Sequence, residues 1–266
     1  ISSMQKVEKS AYIITGHTKG SGRALTAFAL KKGHGVVGIS RGKLDLVKNS
    51  LTSSKFLQYQ CDLSSSEKKI LNENQIETII KFLSDYEDVI YVVNASQNSS
   101  SNEPTIDILR DIVKLSQINV LSQLNLLIQL LSYKRNIVRK CVSIGSYLSF
   151  QTSKSSSLGY VLSKNSLLEL MLLSKKETQL DLKLQTIVLG GVDTDMNRDF
   201  NEASNHAGNI VRKYFQMSPS MAAELILSAT QSNRSLKFIP FLPAIPIVFF
   251  YHVRSFFQAI KTILWR

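Results

Sequence analysis

The stretch AYIITGHTKGSGR, residues 11–23, decides the fold, because an apolar strand pattern runs into a glycine-rich turn that opens a helix. Gly16, Gly20 and Gly22 are spaced so that the turn is tight, the backbone approaches a bound group closely, and the helix starts near the strand. Amides at a helix start face an anion, with the positive end of the helix dipole behind them. The turn therefore predicts a dinucleotide phosphate loop, although its TGxxxGxG spacing differs from GxGxxG and an ordinary loop is the alternative.

Apolar runs that predict strands alternate with helical patterns over the rest of the chain. The predicted strands cover residues 11–15, 35–40, 56–61, 89–94, 140–144 and 184–189. The predicted helices cover residues 22–32, 66–83, 104–133, 160–178 and 219–231. The strands are almost continuously apolar, as strands covered on both faces are. This order predicts an α/β fold, a Rossmann-type doubly wound parallel sheet in one domain over residues 1–235, with an apolar, amphipathic extension over residues 236–266.

Composition supports a single domain and limits the function classes. The 266 residues are 44% hydrophobic, enough for a substantial core. Cys61 and Cys141 are far apart in apolar strands, which favours buried free thiols in a reducing compartment over a disulfide. The four histidines have no metal-ligand spacing, and the N-terminus has no signal-peptide pattern. We expect a cytoplasmic protein without a metal.

The net charge of +12 needs an explanation. Solvated helix faces rich in lysine are one interpretation. Attraction to the phosphates of a cofactor or to an anionic membrane surface is another. The sequence shows no nucleic-acid recognition motif and no basic run interleaved with aromatic residues, so we expect no nucleic-acid partner.

Further motifs follow the glycine turn in a fixed order. They are CDL at 61–63, VNAS at 93–96, QINV at 117–120, SIGS at 143–146, YVLSK at 160–164 and GGVDT at 190–194. Together with TGHTKGSG at 15–22 they resemble the short-chain dehydrogenase/reductase family. The resemblance implies a nicotinamide dinucleotide cofactor, a small-molecule carbonyl or alcohol substrate, and assembly into homodimers or homotetramers. It also implies that residues 195–217 form a lid that selects the substrate.

The second predicted strand ends in Ser40 and Arg41 instead of the acid that commonly holds the 2'-hydroxyl of NAD. A guanidinium forms charge-assisted bonds to a 2'-phosphate, and Lys19 adds a second positive charge nearby. Basic residues occupy both places in NADP-preferring members of the family, so the resemblance implies NADP(H). Arg41 as a solubilising strand end is the alternative. The implied cofactor-binding residues are Thr15, Gly16, Thr18, Lys19, Gly20, Gly22, Ser40, Arg41, Asp62, Asn94, Ala95, Tyr160, Lys164, Gly190, Val192 and Thr194.

Four residues of these motifs carry the chemistry that the resemblance implies. Tyr160 and Lys164 are four residues apart and share one helix face. A nearby ammonium and an oxidised nicotinamide would lower the pKa of Tyr160 from its usual value of about 10. Ser146 would hydrogen-bond the substrate oxygen, and Asn119 would hold a water that links Lys164 to solvent. The alternative is that Tyr160 packs in the core and Lys164 lies on the surface.

Three departures from the family pattern leave questions open. Ser96 stands where the usual NNAG has glycine, close to the expected nicotinamide ribose. The spacing from Ser146 to Tyr160 is one residue longer than usual, so Ser143 and Ser149 remain alternatives to Ser146. Leu189 replaces the proline that normally precedes the glycine of PGxVxT. None of these changes removes a proton-transfer group.

The C-terminal region combines an apolar segment with a periodic one. Residues 238–251 contain three prolines and are too short for a spanning helix, while residues 253–264 place apolar residues on one helical face. Such a helix lies on a membrane surface or packs on its own domain or a partner subunit. The tail resembles those of membrane-associated family members that reduce lipid ketones.

These features define three function hypotheses. The first is an NADPH-dependent reductase of an apolar ketone or aldehyde, and GGVDTDM also resembles soluble sepiapterin and benzil reductases. The second is an NADP-binding scaffold in which Ser96 and the serine-rich loop block catalysis. The third is a structural membrane-surface protein.

Overall fold

The structure is a computed structural model that describes residues 10–45, 54–65, 70–98, 105–150, 158–177, 181–197 and 216–241, with single residues of the tail. Seven parallel strands form one sheet in the order β3-β2-β1-β4-β5-β6-β7. The strands are β1 (Ser10–Thr15), β2 (Gly35–Ser40), β3 (Phe56–Gln60), β4 (Asp88–Val93), β5 (Lys140–Ser146), β6 (Lys183–Leu189) and β7 (Leu236–Ile239). The strand order reverses between β1 and β4, so the cleft at their carboxyl ends is where such sheets bind ligands.

Helices cover both faces of the sheet, as the apolar strands require. They are α1 (Gly20–Lys31), α2 (Glu73–Leu83), α3 (Thr105–Ser116), α4 (Ser122–Tyr133), α5 (Leu158–Glu177) and α6 (Pro219–Thr230). One core cluster joins α1 and α6 to the sheet, and a second joins α2, α4 and α5 to its other face. The predicted Rossmann-type, doubly wound α/β fold in a single domain is confirmed.

Two predicted helices differ from the observed ones. The helix expected over residues 66–83 begins at Glu73, because Asn72 and Gln75 form a reciprocal capping box there. The helix expected over residues 104–133 is interrupted by a π turn, Gln117–Leu121, between α3 and α4. A π turn leaves carbonyl groups without their usual partners. Here the Nε2 atom of Gln123 acts as the partner, donating to the carbonyl oxygens of Ile118 and Asn119 at 3.1 and 3.0 Å.

The seventh strand corrects the boundary between the domain and the C-terminal extension. Leu236–Ile239 pairs with Thr186–Leu189 and so belongs to the sheet, although the sequence analysis placed it in the extension. The strand has only four residues and runs directly into Pro240, which gives a weak strand pattern. The predicted amphipathic helix over residues 253–264 and most of the predicted lid lie outside the described residues. Among the described residues, the structure contains no helix with the length and apolar character needed to cross a membrane.

Candidate active site

The turn after β1 has the backbone that its glycine spacing predicts. Gly16 and Gly20 have positive φ angles of 70° and 51°, in the region that favours glycine. A Cβ atom on Gly22 would lie 2.2 Å from the Gly16 carbonyl oxygen and 2.5 Å from Nδ2 of Asn94. Only glycine fits there, so α1 starts directly against the turn at the carboxyl end of β1.

Hydrogen bonds fix the ends of β1 and β4 to each other beneath this turn. Thr15 Oγ1 accepts from the backbone N–H groups of Asn94 and Ala95 at 2.9 and 3.0 Å. Asn94 Nδ2 donates to the Thr15 carbonyl oxygen at 2.9 Å, and Ser21 Oγ donates to Asn94 Oδ1 at 3.2 Å. The side chains of Thr15 and Asn94, both predicted to bind the cofactor, therefore form the hydrogen-bonded floor of the cleft.

The end of β2 brings the predicted 2'-phosphate residues close to the turn. Ser40 Oγ donates to the Gly42 carbonyl oxygen at 3.0 Å and lies 3.3 Å from Thr18 Oγ1. The side chains of Lys19 and Arg41 are exposed. Together these residues form a cationic corner with two hydroxyl groups, beside the helix start.

Asp62, one of the predicted cofactor-binding residues, lies within electrostatic reach of this corner. A hydrogen bond from the Ser64 backbone N–H, 2.9 Å from Asp62 Oδ1, lowers the pKa of the carboxyl group, and the charge of Arg41 contributes a smaller lowering. The carboxylate is therefore ionised and oriented by its own turn. Asp62 and the predicted 2'-phosphate residue Arg41 are therefore neighbours in the fold.

His17, which the sequence analysis did not consider as a site residue, is buried beneath the glycine turn. Its ring lies against Gly38, where a Cβ atom would come within 2.5 Å of the ring. Its Nε2 atom lies 3.3 Å from Oε1 of Gln58, whose amide also binds both backbone groups of Leu44. Burial lowers the pKa of His17 and favours the neutral ring. His17 and Gln58 thus connect the glycine turn to the loop that follows Arg41.

The loop after β6 reaches the same cleft from the other side. A Cβ atom on Gly20 would lie 3.1 Å from Cγ2 of Thr194, so these two predicted cofactor residues face each other. Val192 is buried and pairs with Met217 in an isolated parallel bridge. Gly190 is enclosed by Pro240 and Tyr147, whose Cδ and Cε2 atoms would lie 3.3 and 3.4 Å from an added Cβ.

Ser146, Tyr160 and Lys164 meet at the carboxyl end of β5. The Ser146 hydroxyl group lies close enough to the Tyr160 phenol to lower its pKa. Lys164 Nζ donates to the Ile144 carbonyl oxygen at 2.9 Å and lies 5.9 Å from the centre of the Tyr160 ring. Tyr160 and Lys164 are 6% and 3% exposed. Lys164 is therefore not a surface lysine, and Tyr160 is not isolated from polar groups in the core.

Burial controls the protonation of this cluster. Desolvation raises the pKa of Tyr160, and interactions with the hydroxyl groups of Ser146 and Ser96 lower it. Desolvation is the largest of these effects, so the protein groups alone raise the pKa of Tyr160, whereas the lowering that we expected came from Lys164 together with an oxidised nicotinamide. Burial also lowers the pKa of Lys164 to about 8. A second positive charge or additional hydrogen-bond donors would be needed to favour the phenolate near neutral pH.

Asn119 lies in the π turn and is completely buried. Its Oδ1 atom accepts from the Gln97 backbone N–H at 2.9 Å, and its Nδ2 atom donates to the Gln97 carbonyl oxygen at 3.1 Å and to Ser163 Oγ at 2.9 Å. Among the hydrogen bonds of the described residues, none joins Asn119 to Lys164 directly. The observed contacts make Asn119 a clamp between the β4 loop and α5.

The alternative serines have different surroundings. Ser143 is fully buried in β5, where its Oγ atom pairs with Thr186 Oγ1 at 2.9 Å. The Ser149 hydroxyl group is buried without a hydrogen-bond partner, and its carbonyl oxygen accepts from Asn165 Nδ2 at 3.0 Å. Of the three candidates, Ser146 is the one whose hydroxyl group interacts with the Tyr160 phenol.

Sequence reasoning missed the residues that hold the cluster together. Gln123 donates to the carbonyl oxygens of Ala95, Ile118 and Asn119 at distances of 2.8 to 3.1 Å and lies 2.5 Å from Thr15 Oγ1. Its position four residues after Asn119, on the same helical face, was the available signal. Gln97 gave no signal beyond following VNAS, and Ser163 gave none beyond lying inside YVLSK.

Aromatic side chains border the cluster on the side of β7. The rings of Tyr147 and Phe150 lie 6.3 and 5.7 Å from the ring of Phe238. The Tyr147 hydroxyl group donates to the Pro240 carbonyl oxygen. Burial raises the pKa of Tyr147 to about 12, so this hydroxyl group stays protonated. Tyr147 directly follows Ser146, which places an apolar surface beside the polar cluster.

The parallel sheet, with its ligand cleft at the carboxyl ends of β1 and β4, defines an α/β protein of the Rossmann class. The chain belongs to the short-chain dehydrogenase family: the family model described as short chain dehydrogenase matches residues 10–205. The protein is therefore an oxidoreductase of a family that binds NAD(H) or NADP(H) and acts on small molecules.

Individual relatives refine this assignment only in part. Benzil reductase ((S)-benzoin forming) of Bacillus subtilis (strain 168) is 44% identical over 69 residues, which are 26% of this chain and 25% of the relative. A short-chain dehydrogenase from Burkholderia cenocepacia J2315 in complex with NADP has a TM-score of 0.67 at 16% identity, covering 97% of this chain and 98% of its own. 4-Hydroxyisoleucine dehydrogenase complexed with NADH has a TM-score of 0.68 at 18% identity, covering 86% and 96%. These structures share the fold.

Proposed function

We propose that the protein is an NADPH-dependent reductase of an apolar ketone or aldehyde. The observation that carries the proposal is the meeting of Ser146, Tyr160 and Lys164 at the end of β5, across the cleft from the glycine turn. A bound NADPH would supply the hydride for the carbonyl carbon. The Tyr160 phenol would give its proton to the carbonyl oxygen, and Ser146 would orient that oxygen. The products are the alcohol, NADP⁺ and a phenolate that recovers a proton from solvent.

The preference for NADP(H) is supported by the corner at the end of β2. Ser40 and Thr18 present hydroxyl groups there, and the exposed Arg41 and Lys19 supply positive charge. A 2'-phosphate carries negative charge and several acceptor oxygens, so it gains charge-assisted hydrogen bonds that a 2'-hydroxyl group does not. An acidic residue, which would repel the phosphate, is absent from the end of β2 at residues 40–42.

An apolar substrate is supported by the aromatic surface beside Ser146. Tyr147, Phe150 and Phe238 offer rings to a hydrophobic group attached to the carbonyl carbon. Benzil, an aromatic diketone, is a suitable first probe because a relative that is 44% identical over 69 residues bears the name benzil reductase. A lipid-like ketone is a second apolar probe. A carbonyl compound of the sepiapterin type is the more polar alternative.

The test follows NADPH oxidation by absorbance with a panel of aromatic, lipid-like and pterin carbonyl compounds. We expect turnover with at least one apolar ketone, and turnover lower by about 10²- to 10⁴-fold in Tyr160→Phe, with NADPH binding unchanged by fluorescence. Full activity in Tyr160→Phe would refute the mechanism. Tight NADPH binding without turnover of any compound would favour the scaffold hypothesis.

Association with other surfaces is a separate part of the proposal. Val113 of α3 and Leu173 of α5 are 70% and 59% exposed, which supports self-association through these two packed helices. Size-exclusion chromatography with light scattering distinguishes a monomer from a dimer or tetramer. Peripheral membrane contact depends on the tail beyond the described residues. Unchanged liposome binding after removal of residues 242–266 would argue against it.

A further inference from the structure

Ser96 carries a buried hydroxyl group next to the proposed proton donor. Its Oγ atom is shielded from solvent and forms no well-aligned hydrogen bond with the described residues. A buried hydroxyl group without a partner is unfavourable, because it has lost its bonds to water and gained none. A hydrogen-bond acceptor that forms next to Ser96 during the proposed reaction would remove this cost.

The backbone around Ser96 is fixed on both sides. Before it, Ala95 donates its N–H to Thr15 Oγ1 at 3.0 Å, and its carbonyl oxygen accepts from Gln123 Nε2 at 2.8 Å. After it, both backbone groups of Gln97 are bound by the Asn119 amide, at 2.9 and 3.1 Å. Ser96 therefore cannot move far toward other partners without breaking several hydrogen bonds.

The same clamp positions α5 relative to Ser96. The Asn119 amide donates to Ser163 Oγ at 2.9 Å, and Ser163 Oγ donates to the Tyr160 carbonyl oxygen at 2.8 Å. The loop that carries Ser96 and the helix turn that carries Tyr160 are thus held by one amide. In this arrangement the hydroxyl groups of Ser96 and Ser146 lie close enough to the Tyr160 phenol for both to lower its pKa, although Ser96 Oγ makes no hydrogen bond with the described residues.

The chemistry of the phenol explains why the Ser96 hydroxyl group has no aligned bond in this state. A neutral phenol keeps its own hydrogen and is a weak acceptor, whereas a phenolate oxygen has no hydrogen and accepts strongly from several donors. Ser146 and Ser96 provide two donors from two different elements. A donor without a partner in the neutral state gains one when Tyr160 loses its proton.

We propose that Ser96 is a positioning residue that donates a hydrogen bond to the phenolate oxygen of Tyr160 after proton transfer, so that two serine hydroxyl groups hold the proton-transfer atom. The inference rests on the proposed function, in which Tyr160 transfers the proton. Asn119 and Gln97 then serve to aim Ser96, in addition to linking the β4 loop with α5.

The test measures the titration of Tyr160 itself and does not depend on turnover. Carbon-13 NMR of protein with labelled tyrosine follows the phenol carbon of Tyr160, identified by its loss in Tyr160→Phe, in the free protein and with saturating NADP⁺. We compare wild type with Ser96→Ala, with Ser96→Thr, which keeps a hydroxyl group, and with Thr26→Val. Thr26 has another buried hydroxyl group without a partner but lies in α1, so Thr26→Val is the matched control.

We expect the pKa of Tyr160 to rise by about one unit in Ser96→Ala, to return toward the wild-type value in Ser96→Thr, and to stay unchanged in Thr26→Val. An unchanged Tyr160 titration in a folded Ser96→Ala protein would overturn the inference. A loss of NADP⁺ affinity without a shift in titration would also overturn it, because Ser96 would then serve the cofactor. If the titration shifts as expected but no carbonyl compound is reduced, the inference about Ser96 stands and the proposed function fails.

Discussion

The cleft has two halves: the glycine turn after β1 consists mainly of backbone, and the cluster at the end of β5 consists of side chains. At the glycine turn the backbone conformation forms the site. Gly16 and Gly20 have positive φ angles, and Gly22 lies where a Cβ atom would meet a carbonyl oxygen. At the end of β5 the site consists of side chains from separate elements, Ser146 from β5 and Tyr160 with Lys164 from α5. A backbone site is sensitive to added atoms, and a side-chain site is sensitive to lost atoms.

The largest expected effect separates the serines of the side-chain half. Ser146→Ala removes the hydroxyl group that interacts with Tyr160, and we expect turnover to fall by about 10²- to 10³-fold. Ser143→Ala removes a hydroxyl group that pairs with Thr186 in the core, and we expect it to cost about 1 kcal/mol of stability with activity retained. Steady-state kinetics and urea unfolding of both variants check this. The reverse result would identify Ser143 as the functional serine.

The buried Lys164 of the side-chain half makes the stability of the protein depend on pH. Burial lowers its pKa to about 8 from 10.5, so between these values the unfolded protein binds a proton that the folded protein lacks. The free energy of unfolding therefore rises with pH across this window, by about 3 kcal/mol at most. Lys164→Met lacks this contribution. We expect the difference in unfolding free energy, wild type minus variant, to increase between about pH 7 and about pH 10, and a constant difference would contradict the buried state of Lys164.

The backbone half is tested by adding one methyl group. Gly22→Ala would place a Cβ atom 2.2 Å from the Gly16 carbonyl oxygen. We expect the free energy of unfolding to fall by about 1–3 kcal/mol and NADPH binding to be lost. Gly42→Ala is the matched control for the loss of stability, because the nearest atom to its Cβ, Oγ1 of Thr18, would lie 3.7 Å away. Denaturant unfolding and NADPH titration by fluorescence measure both. Equal tolerance of the two variants would show that the turn is not built on close backbone contact.

The smallest expected effect concerns the cationic corner. Arg41→Ala removes an exposed guanidinium, and we expect NADPH to bind about tenfold more weakly while NADH binding stays the same. Arg234→Ala serves as the control because Arg234 is also exposed but precedes β7, at the opposite end of the sheet from the cleft. A tenfold effect of both variants on NADPH would indicate general electrostatic attraction to the basic protein instead of a phosphate site.

Prediction from sequence succeeded where the local pattern contains the physical cause. The strand at residues 35–40 is found with the predicted bounds, because a continuous apolar run leaves no other arrangement for a buried segment. The start of α2 and the π turn were missed, because the first depends on the Asn72 capping box and the second on Gln123 reaching carbonyl groups of the preceding turn. β7 was missed because four residues become a strand here by pairing with β6.

The sequence by itself determined the α/β order of the elements and the glycine turn, since these depend on apolar periodicity and on residues that lack a Cβ atom. Only the tertiary structure decided which serine meets Tyr160, that Asn119 clamps Gln97 and Ser163, and that burial moves the pKa values of Tyr160 and Lys164 in opposite directions. The physical reason is that hydrogen bonds and desolvation depend on the distance between atoms far apart in the chain. The sequence motifs identify Tyr160 and Lys164, and the packing around them shifts their pKa values.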